Sequence, residues 1–456
     1  MRVPGMLARP ALFRLVIVTD PGPDPDDIKA LLVAAVLHAR GRIHLAAVVC
    51  NGGGQPERRA ALARRLLDLV GCPDVPVGIG TPGKEYAAQP HEYRLAGVDE
   101  VPQAALADGA ALLRREVRRS KPRGLTVVCI SGLRDFADLV DEAPALVQRK
   151  LREVVIQGGL ERDPETGAWR PDTSVNNTFD AEAAARAYAF CLARGIPLTV
   201  VSRNAVPLLP MQLAKSFADR TECHIMRYLA DAQFLGLEGL WLKLCEGKLP
   251  PRCDKRWYMK TFAGVESDSE YDREGYDELD KSTDIKEYLN GFVKPYDVIA
   301  LMTVLPHTRP LFPPGVPVDG ASAGAHAGIA PVRGGGSHRL YLRAQDAIHV
   351  RHVLQLLRDS YHEAVSASRQ VDALARLAAG RRHQALLKVA PEDLDPEQCR
   401  IATQPSLAAA YPIVGSSPPS MLRRHRKSRE RSWDLASHDR IADFSPAAGR
   451  RWKRKE

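Results

Sequence analysis

No stretch of this 456-residue chain approaches the ~18–20 consecutive apolar residues that a membrane-spanning helix needs, so no membrane span is expected. Between Arg2 and Val18 there is neither a continuous apolar core nor a small-residue cleavage site, which argues against a secretory signal. A short organelle-targeting stub is the alternative, for which Met1 to Arg14 is brief. The eight cysteines are scattered, with no paired CxxC spacing, which argues against a zinc ribbon and a disulfide scaffold. Reduced thiols and a cytoplasmic location are expected. Aromatic residues make up only 6% of the chain and do not interleave its basic runs, so a base-stacking surface is not expected. Internal repeats are also lacking, which removes solenoids.

What is abundant is negative charge in one short place. Val16-Ile17-Val18-Thr19-Asp20-Pro21-Gly22-Pro23-Asp24-Pro25-Asp26-Asp27 runs from apolar residues straight into four carboxylates. Leu15 to Thr19 reads as a buried strand, and Ile28 to Val36 reads as the helix that follows. The acids therefore fall at the carboxyl end of a strand in an α/β unit, where open sheets of this class place their ligands. Carboxylates this close repel one another unless a hard cation or donated hydrogen bonds offset them. The prolines and Gly22 would stiffen or bend the loop. A plainer alternative is that Asp24, Asp26 or Asp27 only caps the helix, a role one Asp would fill.

Strands then alternate with helices to about residue 205. Strands are expected at Ile43 to Cys50, Leu125 to Ile130, Glu153 to Gln157 and Pro197 to Ser202. Helices are expected at Glu57 to Val70, Arg134 to Leu139 and Ala181 to Arg194. That order predicts an α/β fold, a mostly parallel central sheet with helices on both faces, and a C-terminal extension. Leu213 to Leu244 reads as helical, and Ser267 to Asp284 as an exposed acidic loop. The expected organisation is an α/β domain at 13–312, a Gly/Pro-rich linker at 313–338, a small helical extension at 339–400 and a disordered basic tail at 401–456. From Met421 onward twelve Lys/Arg face five Asp/Glu, so this segment holds +7 of the net +9. It is expected to be a solvated tail, with contact to an anionic partner as the alternative.

Taken in order, these segments resemble the inosine-uridine preferring nucleoside hydrolases over roughly residues 13 to 305. Asp20-Pro21-Gly22 followed by Asp26-Asp27 is similar to the family's N-terminal signature. Val48-Val49-Cys50-Asn51 resembles its strand ending in Asn, and Val155-Ile156-Gln157-Gly158-Gly159 its central strand with paired glycines. Asn176 to Ala184 resembles its Asn-containing loop before a helix, and Lys294 to Ala300 its late loop-to-helix segment carrying an Asp.

The resemblance implies a divergent, Rossmann-like member of that family. It implies Ca²⁺ held by the carboxylates of Asp20, Asp27 and Asp297 and the backbone carbonyl of Ile130, an oxygen-only set that suits the ion. It further implies a metal-bound water deprotonated by Asp20, which attacks the anomeric carbon of a ribosyl group through an oxocarbenium-like transition state. Asp26, Asn51 and Asn176 would hydrogen-bond the sugar diol, and Tyr296 stands where many members carry a His that protonates the leaving base. The implied substrate is a small nucleoside-like molecule, and self-association is implied as well. Read alone, Asn51 would close an Asn-Gly turn, Asn176 and Asn177 would be loop or cap residues, and Asp297 would be a helix cap.

Four departures from the family pattern stand out. Val18 replaces an additional Asp, Asp24-Pro25 is inserted in the acidic loop so that Asp24 and Asp26 compete for one role, and Ser174 and Ala168 replace a Glu and an Asn near the sugar. Tyrosine, with a reference pKa near 10, is a weaker acid than imidazolium, and His224 and His307 are the substitutes considered. The expected function is thus Ca²⁺-dependent hydrolysis of an N-riboside. The competing expectation is a protein that keeps the fold for binding without turnover or with altered specificity.

Overall fold

The computed structural model describes residues 13–312 except 23, 90, 219–222 and 307, together with 316–317, 339–341 and 355–371. All of these belong to one compact unit, Met1–Ala373. Most of the expected linker, the basic tail, Cys399 and His307 lie outside the described residues.

The apolar run at the start of the chain forms strand β1 (Phe13–Thr19) because it can be buried on both sides. Leu15 and Ile17 enter the hydrophobic cluster on one face of the sheet, while Val16 and Val18 enter the cluster on the other. The same chemistry produces β2 (Ile43–Cys50), β3 (Val77–Ile79), β4 (Leu106–Asp108), β5 (Leu125–Cys129), β6 (Leu151–Gln157) and β7 (Leu198–Val201). Two short strands, β8 (Val316–Pro317) and β9 (Arg339–Tyr341), complete a nine-stranded sheet among the described residues. Its order is β8-β9-β7-β6-β5-β1-β2-β3-β4, and every pairing is parallel except β8 with β9. The fold is the mostly parallel α/β sheet that the alternating pattern predicts.

Helices cover both faces. Those that frame the site are α1 (Asp26–Ala39), α2 (Pro56–Leu69), α3 (Gly109–Arg119), α4 (Arg134–Glu142), α5 (Ala181–Arg194), α6 (His224–Cys245) and α7 (Tyr296–Met302). Helix α1 packs with the Leu15/Ile17 face, and α3, α4 and α5 supply residues to the Val16/Val18 face. After β1 the chain builds β2, β3 and β4 outward on one side, then returns to lay β5 on the other. The crevice at the carboxyl ends of β1 and β5 is therefore the topological switch point.

Three local expectations need correction. Helix is not continuous from Leu213: Cys223, in extended conformation, precedes the helix His224–Cys245. The segment from Ser267 is not a plain exposed loop: Ser267 caps a short helix, Asp268–Arg273, by accepting from the Glu270 amide at 3.1 Å. Tyr271 anchors that helix because its ring is fully buried, a tertiary burial that a polar local composition hides. Strands β3 and β4 were not expected, since three residues each carry too little pattern. Beyond the main run, residues 355–371 are helical, with Leu357, Tyr361 and Ala364 buried and Tyr361 edge-on to Phe217 at 4.8 Å. The seven described cysteines are free, and no described helix is long and apolar enough to cross a membrane.

Candidate functional site

Asp20 follows β1, Asn51 follows β2 and Ile130 follows β5, so three adjacent parallel strands deliver these residues to the switch-point crevice. The sheet ladder continues just past the strands: the Asn51 amide donates to Thr19 O at 3.0 Å and the Ile130 amide to Val18 O at 2.9 Å. That fixes the backbone beneath the site.

The four loop acids take separate positions. Asp24 is exposed and accepts from the Asp26 amide at 3.0 Å, which closes the turn into α1. Asp26 and Asp27 are buried in the first turn of α1, where the positive end of the helix dipole favours carboxylates. Asp27 Oδ1 accepts from the Thr19 hydroxyl and from the Asp20 amide, the latter at 2.9 Å. Asp26 Oδ2 accepts from the Asp297 amide at 3.0 Å, tying the start of α1 to the start of α7 across 271 residues. Local capping thus accounts for Asp24, whereas Asp26 and Asp27 bond outside their own helix start.

The acids are under-neutralised. Burial raises the carboxyl of Asp20 well above its ordinary range, Asp27 raises it further, and Arg59 pulls the other way. Asp26 is pushed up to about 8 by burial and then by Asp24, and Asp27 to about 6 mainly by burial. Asp297 is raised by burial and by all four neighbouring aspartates. Asp26 Oδ1 is buried with no hydrogen-bond partner. Oxygen donors with unbalanced negative charge are the chemistry a hard divalent cation takes, and in this respect the residues fit Ca²⁺. Among the described residues no three His, Cys, Asp or Glu side chains are gathered tightly enough to form a finished metal centre.

Arg59 was not singled out in the sequence, yet it organises the floor of the crevice. Its guanidinium, fully buried, donates to Asp20 Oδ2 at 3.0 Å, to the Asn51 carbonyl at 2.7 Å and to the Tyr86 hydroxyl. Gly52 and Gly53 make the space. Both have positive φ, and a Cβ on either would lie 2.8 or 2.7 Å from the guanidinium nitrogens. The only sequence signal was the Gly52-Gly53-Gly54 run shortly before an arginine.

Asp135 is the second residue missed. On α4 it accepts from Asn51 Nδ2 at 2.7 Å, from the Thr81 amide at 2.9 Å and from the Thr81 hydroxyl at 2.9 Å. Asn51 also donates to Gly132 O at 3.0 Å, which leaves its Oδ1 buried and unpartnered. Asn176 is held elsewhere, by Gln157 O at 3.2 Å and Gln157 Oε1 at 2.7 Å at the end of β6.

Tyr296 opens α7 and lines a cavity of about 310 Å³ together with Asp24, Pro25 and Lys29. Burial and the neighbouring Asp24 and Asp26 push its phenol above the ordinary tyrosine range. Of the departures, Val18 is wholly buried among apolar residues, Ala168 is buried, and Ser174 is buried with its hydroxyl unpartnered. His224 begins α6 half-buried and is not among the residues lining this cavity.

The chain is similar to several known proteins. An uncharacterised protein of Schizosaccharomyces pombe is 29% identical over 200 residues, covering 41% of this chain and 60% of that protein. The pyrimidine-specific ribonucleoside hydrolase RihA of Photobacterium profundum is 29% identical over 199 residues, covering 40% of this chain and 59% of the enzyme. The chain thus spans about three fifths of the length of these curated relatives. Among solved structures, the type III effector protein XopQ complexed with adenosine diphosphate ribose is 27% identical, with 79% of this chain and 95% of that one aligned at a TM-score of 0.58. The family model for inosine-uridine preferring nucleoside hydrolases matches residues 15–254, from β1 through α6 and including the acidic loop. With its aspartates at the switch point and more than half its length matched, this chain belongs to the inosine-uridine preferring nucleoside hydrolase family.

Proposed function

We propose that the protein hydrolyses the N-glycosidic bond of a ribonucleoside or related N-riboside, releasing base and ribose. The observation that carries this reading is the under-neutralised set of half-buried Asp20 and buried Asp26, Asp27 and Asp297 at the switch point of a chain from this family. Asp20, Asp27, Asp297 and the Ile130 carbonyl would hold Ca²⁺. When bound, the ion would act as a Lewis acid on water and lower its pKa toward neutrality.

The chain's own residues supply the remainder. Arg59 holds Asp20 Oδ2 in place, leaving Oδ1 to accept the proton of the attacking water. Asp26 Oδ1 and Asn51 Oδ1 are both buried acceptors without donors, and the two hydroxyls of a ribose diol are two donors. Binding the sugar would satisfy both, which makes them the positioning pair. Asp135 orients Asn51 by fixing its amide nitrogen. Tyr296 lines the neighbouring cavity, and its hydroxyl would donate a hydrogen bond to a base placed there. The XopQ relative is complexed with adenosine diphosphate ribose, itself a riboside of adenine, which supports a ribosyl ligand here.

A second reading is ligand binding without turnover. It is favoured by Arg59, whose guanidinium already occupies Asp20, the carboxylate assigned as base. Calorimetric titration of Ca²⁺ into the wild type and Asp20→Ala, followed by a sugar-release screen over a nucleoside panel, separates the two. Binding lost in the variant with sugar release by the wild type is the expected result. Ca²⁺ binding without release from any riboside would favour the binding protein, and no Ca²⁺ binding would remove the metal assignment.

A further inference from the structure

The cavity beside Tyr296 carries a charge that cleavage of a neutral nucleoside does not require. Lys29, Lys243 and Lys294 line it, and Asp24 is the one carboxylate among its described lining residues. Lys29 is buried, donates to Gln233 Oε1 at 2.7 Å and has the Asp26 carboxyl as its charged neighbour, so the unbalanced positive charge of the cavity rests mainly on Lys294 and the exposed Lys243. Among the described residues, neither Lys243 nor Lys294 forms an ion pair with a carboxylate. Arg252, beside Lys294, donates to the Cys253 sulfur at 3.2 Å and has no carboxylate partner among the described residues, so it adds positive charge rather than relieving it. Like charges gathered around one cavity repel, and an anion placed between them removes that cost.

The shape of the cavity also points to a ligand. Its helical wall is one face of α6, where Gln233, Gly236, Leu240 and Lys243 recur at helical spacing and Gly239 lies beside them. Two glycines inside a 22-residue helix cost about 1 kcal/mol each relative to alanine. A Cβ at Gly239 would meet nothing within 4 Å, so close packing does not demand the glycine there. The bare helix face leaves the cavity open opposite Trp257 and Phe262, whose rings offer an apolar wall to a base.

Resting on the N-riboside reading above, we infer that the substrate is an anionic N-riboside, whose oxyanion sits among Lys29, Lys243 and Lys294 while its sugar faces the aspartates. Lysine ammonium groups are compact point charges suited to an oxyanion. The oxyanion has two chemical sources, a carboxylate on the base or a phosphoryl group on the sugar.

Three ligands differing only in that group distinguish them: uridine, orotidine and uridine 5′-monophosphate, with inorganic phosphate as the bare anion. Binding to the full chain with Ca²⁺ present is measured calorimetrically at low and high salt, and sugar release is measured separately on the same samples. Orotidine or the monophosphate should bind about tenfold or more tighter than uridine at low salt. The advantage should shrink at high salt and fall several-fold in the Lys243→Gln/Lys294→Gln variant. Preference for orotidine assigns the charge to the base, and preference for the monophosphate assigns it to the sugar. Phosphate binding that depends on the lysines, with none of the ribosides bound, would support the anion site while sinking the N-riboside reading. Equal affinity for all three ribosides, or an anionic advantage that survives in the lysine variant, would overturn the inference.

Discussion

Asp20, Asp26, Asp27 and Asp297 crowd carboxylates against one guanidinium, whereas Lys29, Lys243 and Lys294 line a cavity whose one described carboxylate is the exposed Asp24. Asp24 and Tyr296 also line that cavity, and Asp24 and Asp26 both raise the Tyr296 phenol. The acidic set is assembled mainly from eight consecutive residues and closed by one distant acid, Asp297. The basic set draws on residues 29, 243 and 294, which have no sequence proximity. Opposite charges so arranged would orient a ligand with a ribose diol at one end and an oxyanion at the other, and each set can be tested without the other.

The largest effect is expected at the joint under the acids. Arg59→Gln removes the guanidinium that pairs with Asp20 and caps the Asn51 carbonyl, and should cost about 3–5 kcal/mol of stability, read from urea unfolding. A cost below about 1 kcal/mol, the value of a surface pair, would mean that Arg59 does not organise the floor.

Next in size is Asp20→Ala, which should weaken Ca²⁺ binding by more than about 100-fold, beyond what loss of an outer-sphere partner costs. Unchanged affinity by calorimetry would show that the acid cluster is not a cation site. Asp135→Ala acts one step further out. It strands the Asn51 and Thr81 donors and should cost about 1–3 kcal/mol, with a raised KM for any riboside that turns over. A stability loss with an unmoved KM would restrict Asp135 to a structural role.

The last test is a pH trend. Asp26 and Asp27 titrate near 8 and 6 when folded, above the ordinary carboxylate value, so the folded state holds protons that the unfolded chain has lost. Their contribution to stability is complete below the unfolded value, near pH 4, and declines as pH rises through 6 and 8. The melting temperature of the metal-free protein should therefore fall gradually between pH 5 and 8. Ca²⁺ favours the ionised acids and should flatten that slope; a melting temperature that climbs with pH in its absence would contradict the burial of these groups.

The strand at Leu15 to Thr19 was legible because four consecutive apolar residues stop at Asp20, and a strand buried on both faces needs such a run. The parallel α/β order was legible because strand and helix periods differ. The short strands β3 and β4 and the capped helix at Asp268–Arg273 were not, since three to six residues carry little periodicity. Arg59 was hidden for another reason. In sequence it is one of two adjacent arginines on an amphipathic helix, and such residues usually face water.

The sequence by itself determined that a strand would end in a cluster of acids, that the chain would form a largely parallel sheet, and which family it resembled, because these depend on local order and composition. Only the tertiary structure decided which acid faces which. It buried Asp26 and exposed Asp24, brought the Asp297 amide to Asp26, placed Arg59 against Asp20, and gathered three lysines around one cavity. Charges interact across space, and residues hundreds of positions apart become neighbours only when the sheet and its helices have packed.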